Sequence, residues 1–399
     1  MTLTKEQLLF DLYVAFECAK KNKSNKPYVV AFEKDLHKNL IELCEKLYTR
    51  KYEPHGSICF IINNPKKREV FAANFVDRII HHLFYNYTHT IFERTFIYDT
   101  YSCIKNRGTH FGIKRMKHHI LSVSDNYHKP AYVLKMDIRG YFMHIDRNIL
   151  LKTSEDTLNK FRHRTVSKQD KRYFNDILDF DFLLYLNRSI VLLDPTSNCS
   201  FHSPICEWDG LPPSKSLFKT TKGTGLPIGN LTSQLYSNVY LNKLDQYIKR
   251  VLKCKHYGRY VDDFYIIHTD RKYLLSIVPK IEHFLKNKLR LNINRGKTKI
   301  ISVRHGVEFL GAFIKPFRTY ISTGALKRIR NKICSKRILL DNICPEHRIN
   351  SYLGVLSHYK TYNIRVELFY NIKEIYKFGG FNNGLTKFIV RKQNKCTLF

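Results

Sequence analysis

The stretch HYGRYVDDFYIIH, residues 256–268, constrains this chain more than any other. Two apolar runs flank adjacent acids, Asp262 and Asp263, which reads as a tight β-hairpin carrying carboxylates at its tip. Like charges that close repel, and an ordinary two-residue turn would supply Gly or Asn for positive φ; neither is present. A bound cation would remove the conflict. A second strand ending in a lone acid, LKMD at 134–137, supplies a partner carboxylate in Asp137. Carboxylates on rigid strands can bridge two metal ions about 4 Å apart, which activate a 3′-hydroxyl and stabilise a leaving pyrophosphate. Two Mg2+ ions suit such all-oxygen ligands, with phosphate completing their shells and Mn2+ as the substitute.

Around that pair the hydrophobic periodicity alternates between helix and strand. Residues 1 to about 50 read as helical, beginning with an amphipathic helix in which Thr4 and Gln7 are spaced as a capping box. From Tyr52 to Asn64 the pattern turns β-like and meets the basic turn NPKKRE, followed by a helix around Asn74–Thr90. AYVLKMDIRGYF reads as a buried strand ending near Asp137. In SQLYSNVYLNKLDQYIKRVL, Tyr236, Tyr240, Leu244, Tyr247 and Val251 make one helical stripe. A charged helix near Lys272–Lys288 leads into the strands KTKIISV and VEFLGAFI, and beyond Ile321 the pattern is helical and basic to the end. The fold class expected is α+β.

Charge narrows the partners. Lys+Arg number 68 against 34 Asp+Glu, a formal charge of +34, and self-repulsion of that size calls for a polyanion. Nucleic acid comes first and an anionic membrane surface second. No run of 18 apolar residues is present, and the first helix carries Asp and Glu without a small-residue cleavage site. A cytoplasmic location without membrane attachment is therefore expected. The ten cysteines form no CxxC pair; Cys199 and Cys206 flank His202 without a second pair to complete a zinc site, so reduced thiols are the default.

The motifs resemble those of reverse transcriptases, and they stand in that family's order. KREVFAANFVDRIIHH and YSCIKNRGTHFG are similar to fingers segments, KMDIRGYF to the first palm motif and GLPIGNLTSQ to the second. YVDD resembles the third, LNINRGKTKI the fourth and VEFLGAFI the primer-grip hairpin, so the resemblance covers about 60–320. It implies a right-hand polymerase fold: an N-terminal helical extension over 1–50, fingers and palm over 51–320, and a basic helical thumb over 321–399. The palm would be an antiparallel sheet plus helices. It implies an RNA-directed DNA polymerase in which Asp137 and Asp262 ligate the metals, Asp263 participates more weakly and the Ile138 carbonyl completes a shell. Lys297 would be the general acid at the pyrophosphate. Lys66, Lys67 and Arg68 would clamp the triphosphate of the incoming dNTP, next to Ile228 and Gly229. Phe142 would be the steric gate against a 2′-hydroxyl, with a core aromatic as the bland alternative. Arg78, Arg107, Asn230, Ser233 and Gln234 would contact template or nucleotide, and Phe309, Leu310 and Gly311 the primer. For Arg78 and Arg107 a solvated basic face explains the residues equally well.

Within the family, Ile228-Gly229 replaces the usual Gln-Gly, and Ile-Gly-x-x-x-Ser-Gln with WDGLPPSKSLF at 208–218 resembles reverse transcriptases of diversity-generating retroelements. That implies copying a template-repeat RNA into cDNA with errors opposite adenine, with an accessory variability protein as partner besides template RNA and primer. An apolar Ile in place of an amide removes a hydrogen-bonding group, which would lower discrimination. An antiphage-defence reverse transcriptase is the alternative. The insertion at about 151–222 has no assigned role.

Overall fold

The computed structural model describes residues 3–63, 66–162, 179–334, 346–370 and 372–391. At the N-terminus, helices α1 (Lys5–Lys20), α2 (Pro27–Lys34) and α3 (Leu36–Tyr48) form as the periodicity requires. Thr4 caps α1 by accepting from the Gln7 N–H, but the Gln7 side chain reaches forward to Asp11 at 3.0 Å, so the capping box is only half made. Strands β1 (Ser57–Ile62) and β2 (Arg68–Ala73) pair antiparallel in the register Ile62↔Arg68. The turn expected at NPKKRE falls partly on residues 64 and 65, outside the described residues.

Helix α4 (Phe75–Glu93) starts where the Asn74 side chain accepts from the Val76 N–H, and α5 (Thr109–Ser124) follows. Strand β3 (Tyr132–Asp137) ends on the expected acid, leading into α6 (Tyr141–His144), α7 (Arg147–Arg162) and α8 (Phe180–Val191). Strand β4 (Cys199–Phe201) then pairs parallel to β1, so the 151–222 insertion contributes a strand to the first sheet. Its residues 163–178 lie outside the described residues.

Helix α9 (Leu231–Gln246) differs from the expected single stripe. Tyr236, Tyr240 and Leu244 are buried, but so are Asn238 and Asp245 on the opposite face. A π-turn over Tyr247–Val251 then shifts the angular register, and Val251 ends 64% exposed. One extra residue in a turn breaks a stripe read at helical spacing.

The hairpin is present as β5 (Tyr257–Tyr260) and β6 (Asp263–His268), followed by α10 (Arg271–Leu289) and β7 (Lys299–Ser302). These strands join β3 in a sheet ordered β5-β6-β3-β7, which sets the end of β3 next to the start of β6. Strands β8 (Val307–Phe309), β9 (Ala312–Lys315) and β10 (Arg318–Ile321) form a meander. Helices α11 (Thr323–Cys334), α12 (Glu346–Ser357) and α13 (Tyr362–Phe369) come next. The chain does not stay helical. Strands β11 (Gly379–Phe381) and β12 (Phe388–Val390) pair antiparallel, closed by Asn382 accepting from the N–H groups of Thr386 and Lys387 and by Phe381 against Phe388 at 5.0 Å. Asn and Gly at 379–384 favour a turn over a continued helix.

The chain divides into two compact units. One holds residues 1–111, 135–266 and 272–299; the other holds 112–134, 267–271 and 300–399. The second unit has its own core of Ile321, Ile329, Ile349, Leu353, Leu356, Phe369 and Phe388. Among the described residues, no helix is long and apolar enough to cross a membrane.

Candidate active site

The site is built on the hairpin turn. Tyr260 pairs with Asp263, so Val261 and Asp262 are the two central turn residues. The positive φ that a Gly or Asn would have supplied falls on Val261, at +54°. A β-branched residue in that region is an outlier, costing on the order of 1–3 kcal/mol. The hairpin below leaves no room for substitution at Gly258, where a Cβ would sit 2.1 Å from the Tyr101 hydroxyl. Under the turn, Arg259 and Asp245 form a fully buried ion pair at 2.6 Å.

Backbone hydrogen bonds lock the end of β3 to this turn. The Ile138 N–H donates to the Asp262 carbonyl at 3.2 Å. On the other side the Asn294 N–H donates to the Asp137 carbonyl at 2.7 Å, and the Arg139 N–H to the Asn292 carbonyl at 2.9 Å. Ile138 is bridged to Ile293 between those bonds. As the non-hydrogen-bonded member of that antiparallel pair, it turns its own carbonyl away from residues 292–294, towards the hairpin side.

Three carboxylates thus converge with unequal compensation. Asp137 accepts from the Lys297 ammonium at 2.8 Å and from the Asn294 side-chain amide at 3.2 Å. The bond to Asp137 holds Lys297 above its ordinary value. That is the wrong direction for a proton donor near neutrality, and it lasts only while Asp137 is its partner. Burial pushes Asp263 up while Lys135, 3.9 Å away, opposes the shift. Asp262 is pushed up to about 6, first by burial and then by the Asp137 charge. Among the described residues it has no ion-pair partner.

These donors fit a divalent cation in chemistry and in charge. Hard carboxylate oxygens at two strand ends, one of them pushed towards its neutral form by burial and by the neighbouring Asp137 charge, are what such an ion would satisfy. No group of three or more His, Cys, Asp or Glu among the described residues could hold a metal by itself. The protein's share of the shell is therefore partial, as for Mg2+ sites that draw oxygens from phosphate and water. The same finding leaves Cys199, His202 and Cys206 without a metal-holding arrangement.

The expected nucleotide side is assembled by a residue that the motifs did not single out, Glu69. It is 1% exposed and accepts from Trp208 Nε1 at 2.7 Å, Ser216 Oγ at 2.8 Å and the Leu217 N–H at 2.6 Å. Those bonds pin the 208–217 loop onto β2, where Lys66 and Arg68 stay exposed. Lys67 is turned to the Asp209 carbonyl at 2.7 Å. The Ile228 loop runs along the same strand: the Phe71 N–H donates to the Ile228 carbonyl at 2.9 Å and the Ala73 N–H to Asn230 Oδ1 at 3.1 Å. Gly229 has φ +131°, and a Cβ there would lie 2.9 Å from the Phe71 carbonyl, so this contact needs a glycine. The Ile228 side chain packs on a small cluster of Cys59, Phe71, Met143 and Leu217. Of the neighbouring aromatics, Tyr141 is the core residue, donating to the Ser237 carbonyl, while Phe142 is only half-buried.

The remaining expected contacts separate by availability. Arg78 donates to the Ala73 carbonyl at 2.7 Å and lies over the Tyr28 ring. Arg107 donates to the carbonyls of Ile97 and Thr100 and lies over Tyr98. Both guanidinium groups are engaged within the chain. Asn230 and Ser233 are buried, whereas Gln234 is exposed. Phe309 is buried in the second unit, and Leu310 and Gly311, with φ +51° and +82°, form the two-residue turn to β9.

Sequence comparison matches residues 63–314 to the family described as reverse transcriptase (RNA-dependent DNA polymerase). Protein YkfC of Escherichia coli (strain K12) is 24% identical over 303 residues, covering 67% of this chain and 69% of that protein. Among solved structures, a Candida albicans telomerase in complex with a fragment of telomeric RNA aligns at TM-score 0.49 and 12% identity over 84% of this chain. A truncated Candida tropicalis apo telomerase aligns at 0.46 and 12% over 72%. The chain spans 57% and 60% of the length of those two telomerase chains.

Proposed function

The chain belongs to the reverse transcriptase (RNA-dependent DNA polymerase) family, and from that premise we propose that it extends a DNA primer on an RNA template at Asp137, Asp262 and Asp263. The fold is α+β and, in this family, a right-hand polymerase. We take residues 1–50 as an N-terminal helical extension, 51–320 as fingers and palm, and 321–399 as the thumb. The observation that carries the reading is Asp262, a carboxylate locked by backbone bonds beside Asp137, with no ion-pair partner among the described residues and its burial only partly offset by the Lys297 charge.

Asp137, Asp262 and the Ile138 carbonyl would hold the family's divalent ions, Mg2+ in our reading. Bound there, such ions supply Lewis-acid activation of a 3′-hydroxyl and charge stabilisation of the leaving pyrophosphate. The chain's own residues do the rest. Asn294 orients Asp137 through its side-chain amide. Lys297, once released from Asp137, stands ready to neutralise or protonate the leaving group. Arg68, opening a strand fixed by Glu69, and Lys66 just before it offer exposed cations to a triphosphate. Phe142 offers a half-buried ring face as a gate against ribonucleotides.

We further infer the diversity-generating reading, in which a template-repeat RNA is copied carelessly opposite adenine, with an accessory variability protein as partner. Its support is the Ile228-Gly229 loop, whose backbone is zipped to β2 and whose apolar side chain offers the template base no hydrogen bond. The test is single-nucleotide extension with Mg2+ on each of the four template bases, comparing wild type with Asp262→Asn and Ile228→Gln. Asp262-dependent synthesis, selectively inaccurate opposite adenine and made more accurate by Ile228→Gln, supports both readings. Accurate synthesis would remove the second and favour a defence role; no Asp262-dependent synthesis would remove the first.

A further inference from the structure

The tip of the hairpin holds a residue in a conformation it does not favour, and a buried cation reaches up to hold it. Val261 has φ +54° without being Gly, Asn or Asp. Its carbonyl accepts from Arg259 Nη1 at 3.0 Å. That carbonyl belongs to the peptide group whose N–H is Asp262's own, so fixing it fixes the plane entering Asp262. The plane leaving Asp262 is fixed by the Ile138 N–H on the Asp262 carbonyl at 3.2 Å. Asp262 is therefore held at both of its peptide bonds, from beneath by a side chain and from β3 by the backbone.

Arg259 is itself fully determined. It is 0% exposed and forks onto Asp245, with Nε to Oδ1 at 2.8 Å and Nη2 to Oδ2 at 2.6 Å. Its Nη1 also donates to Asn238 Oδ1 at 3.2 Å. Asp245 in turn accepts from the Tyr257 hydroxyl at 2.5 Å and the Thr100 hydroxyl at 3.3 Å. The backbone on either side is bonded as well, the Arg259 N–H to the Asp99 carbonyl and the Tyr101 N–H to the Arg259 carbonyl. Stability alone is a weak reason for such a pair, because well-packed apolar residues of similar volume do as well or better in a core. A forked cation offers something they lack, a donor left over for one carbonyl outside the pair.

We propose that Arg259 is a positioning residue of the polymerase site, holding the strained Val261 peptide so that the Asp262 carboxylate faces its cation, with Asp245 as the counter-charge that aims it. This rests on the functional reading above for the consequence, but not for the geometry. Loss of the clamp lets the turn relax, and the carboxylate must be re-oriented each time an ion binds. Metal affinity and turnover fall, while dNTP binding, which Arg259 does not touch, changes little.

The experiment uses Asp245→Leu with Arg259→Met, an apolar pair, in the full chain. We expect a folded protein with a somewhat lower melting temperature, since Tyr257, Thr100 and Asn238 lose buried partners, together with a kcat about 10- to 100-fold lower, a dNTP KM within threefold, and a Mn2+ midpoint, read by thermal shift without turnover, raised at least fivefold. Adding Val261→Gly, which accepts positive φ unaided, should recover part of that midpoint. A folded double variant with kcat and Mn2+ midpoint within twofold of wild type would overturn the proposal. Should the pair fail to fold, Arg259→Lys keeps the charge but lacks the fork, and an unchanged Mn2+ midpoint there would overturn it equally. Asp262→Asn run in parallel separates the two claims. If wild type shows no Asp262-dependent synthesis the polymerase reading fails, while the Mn2+ thermal shift still decides whether Arg259 positions Asp262.

Discussion

Asp245 and Asp262 belong to the same unit and flank the same hairpin, yet their surroundings are opposite. Asp245 is 0% exposed and accepts from Arg259, Tyr257 and Thr100, so its charge is met in full. Asp262 has another carboxylate for a neighbour and no ion pair among the described residues. Below the turn, the chain has completed its own electrostatics; above it, the balance is left for something bound. A buried acid matched within the chain supports structure, and one left unmatched supports binding.

The sharpest way to break this contrast is to remove each acid. Asp262→Asn should lower primer extension by about a hundred- to a thousand-fold, the scale seen when a group acting on transition-state charge is lost. It should leave the metal-free melting temperature unchanged or higher, since it relieves repulsion. Asp245→Ala should do the reverse first, destabilising by about 3–5 kcal/mol in denaturant unfolding because Arg259 is left buried and unpaired. Equal stability losses from the two variants would erase the distinction.

A pH titration of the metal-free protein sharpens it. The Asp262 carboxyl titrates at about 6 in the fold against 3.8 in the reference state, so the folded chain holds that proton more tightly. Its contribution to stability is full below about pH 4 and is lost as pH rises through about 6, up to about 3 kcal/mol for a shift of this size. Saturating Mg2+ should flatten or reverse that fall, and a metal-free melting temperature flat between pH 4 and 7 would contradict the electrostatic account. The smallest effect belongs to an exposed pair. Arg330 bridges Glu367 at 2.9 Å with both side chains half-exposed, and Arg330→Gln should change stability by less than about 1 kcal/mol.

Much of the candidate site was legible because its acids stand at the ends of short, largely buried apolar strands. Two apolar runs closing on VDD fix a hairpin, and LKMD fixes a strand end, so Asp137, Asp262 and Asp263 could be named before any coordinates. The support beneath them was not. Asp245 reads as one more polar residue on a helix, and Arg259 as one of 68 basic residues in a chain where basic residues are everywhere. Glu69 was hidden inside a basic stretch, although a lone acid opening the apolar run VFAA in a mostly buried strand was a usable signal. Arg78 and Arg107 were hard to place for the same reason, since excess charge hides which guanidinium groups also bond the chain's own carbonyls.

By itself, then, the sequence determined the α+β class, the hairpin and its acids, and the excess of positive charge, because periodicity and composition are local or additive. It also carried the order of motifs that places the chain in its family. Tertiary structure alone decided that Val261 would take the positive φ and that Arg259 would turn inward to Asp245. The network behind them depends on donors meeting acceptors across long separations in the chain, as between Asp245 and Thr100, and no local pattern encodes that meeting.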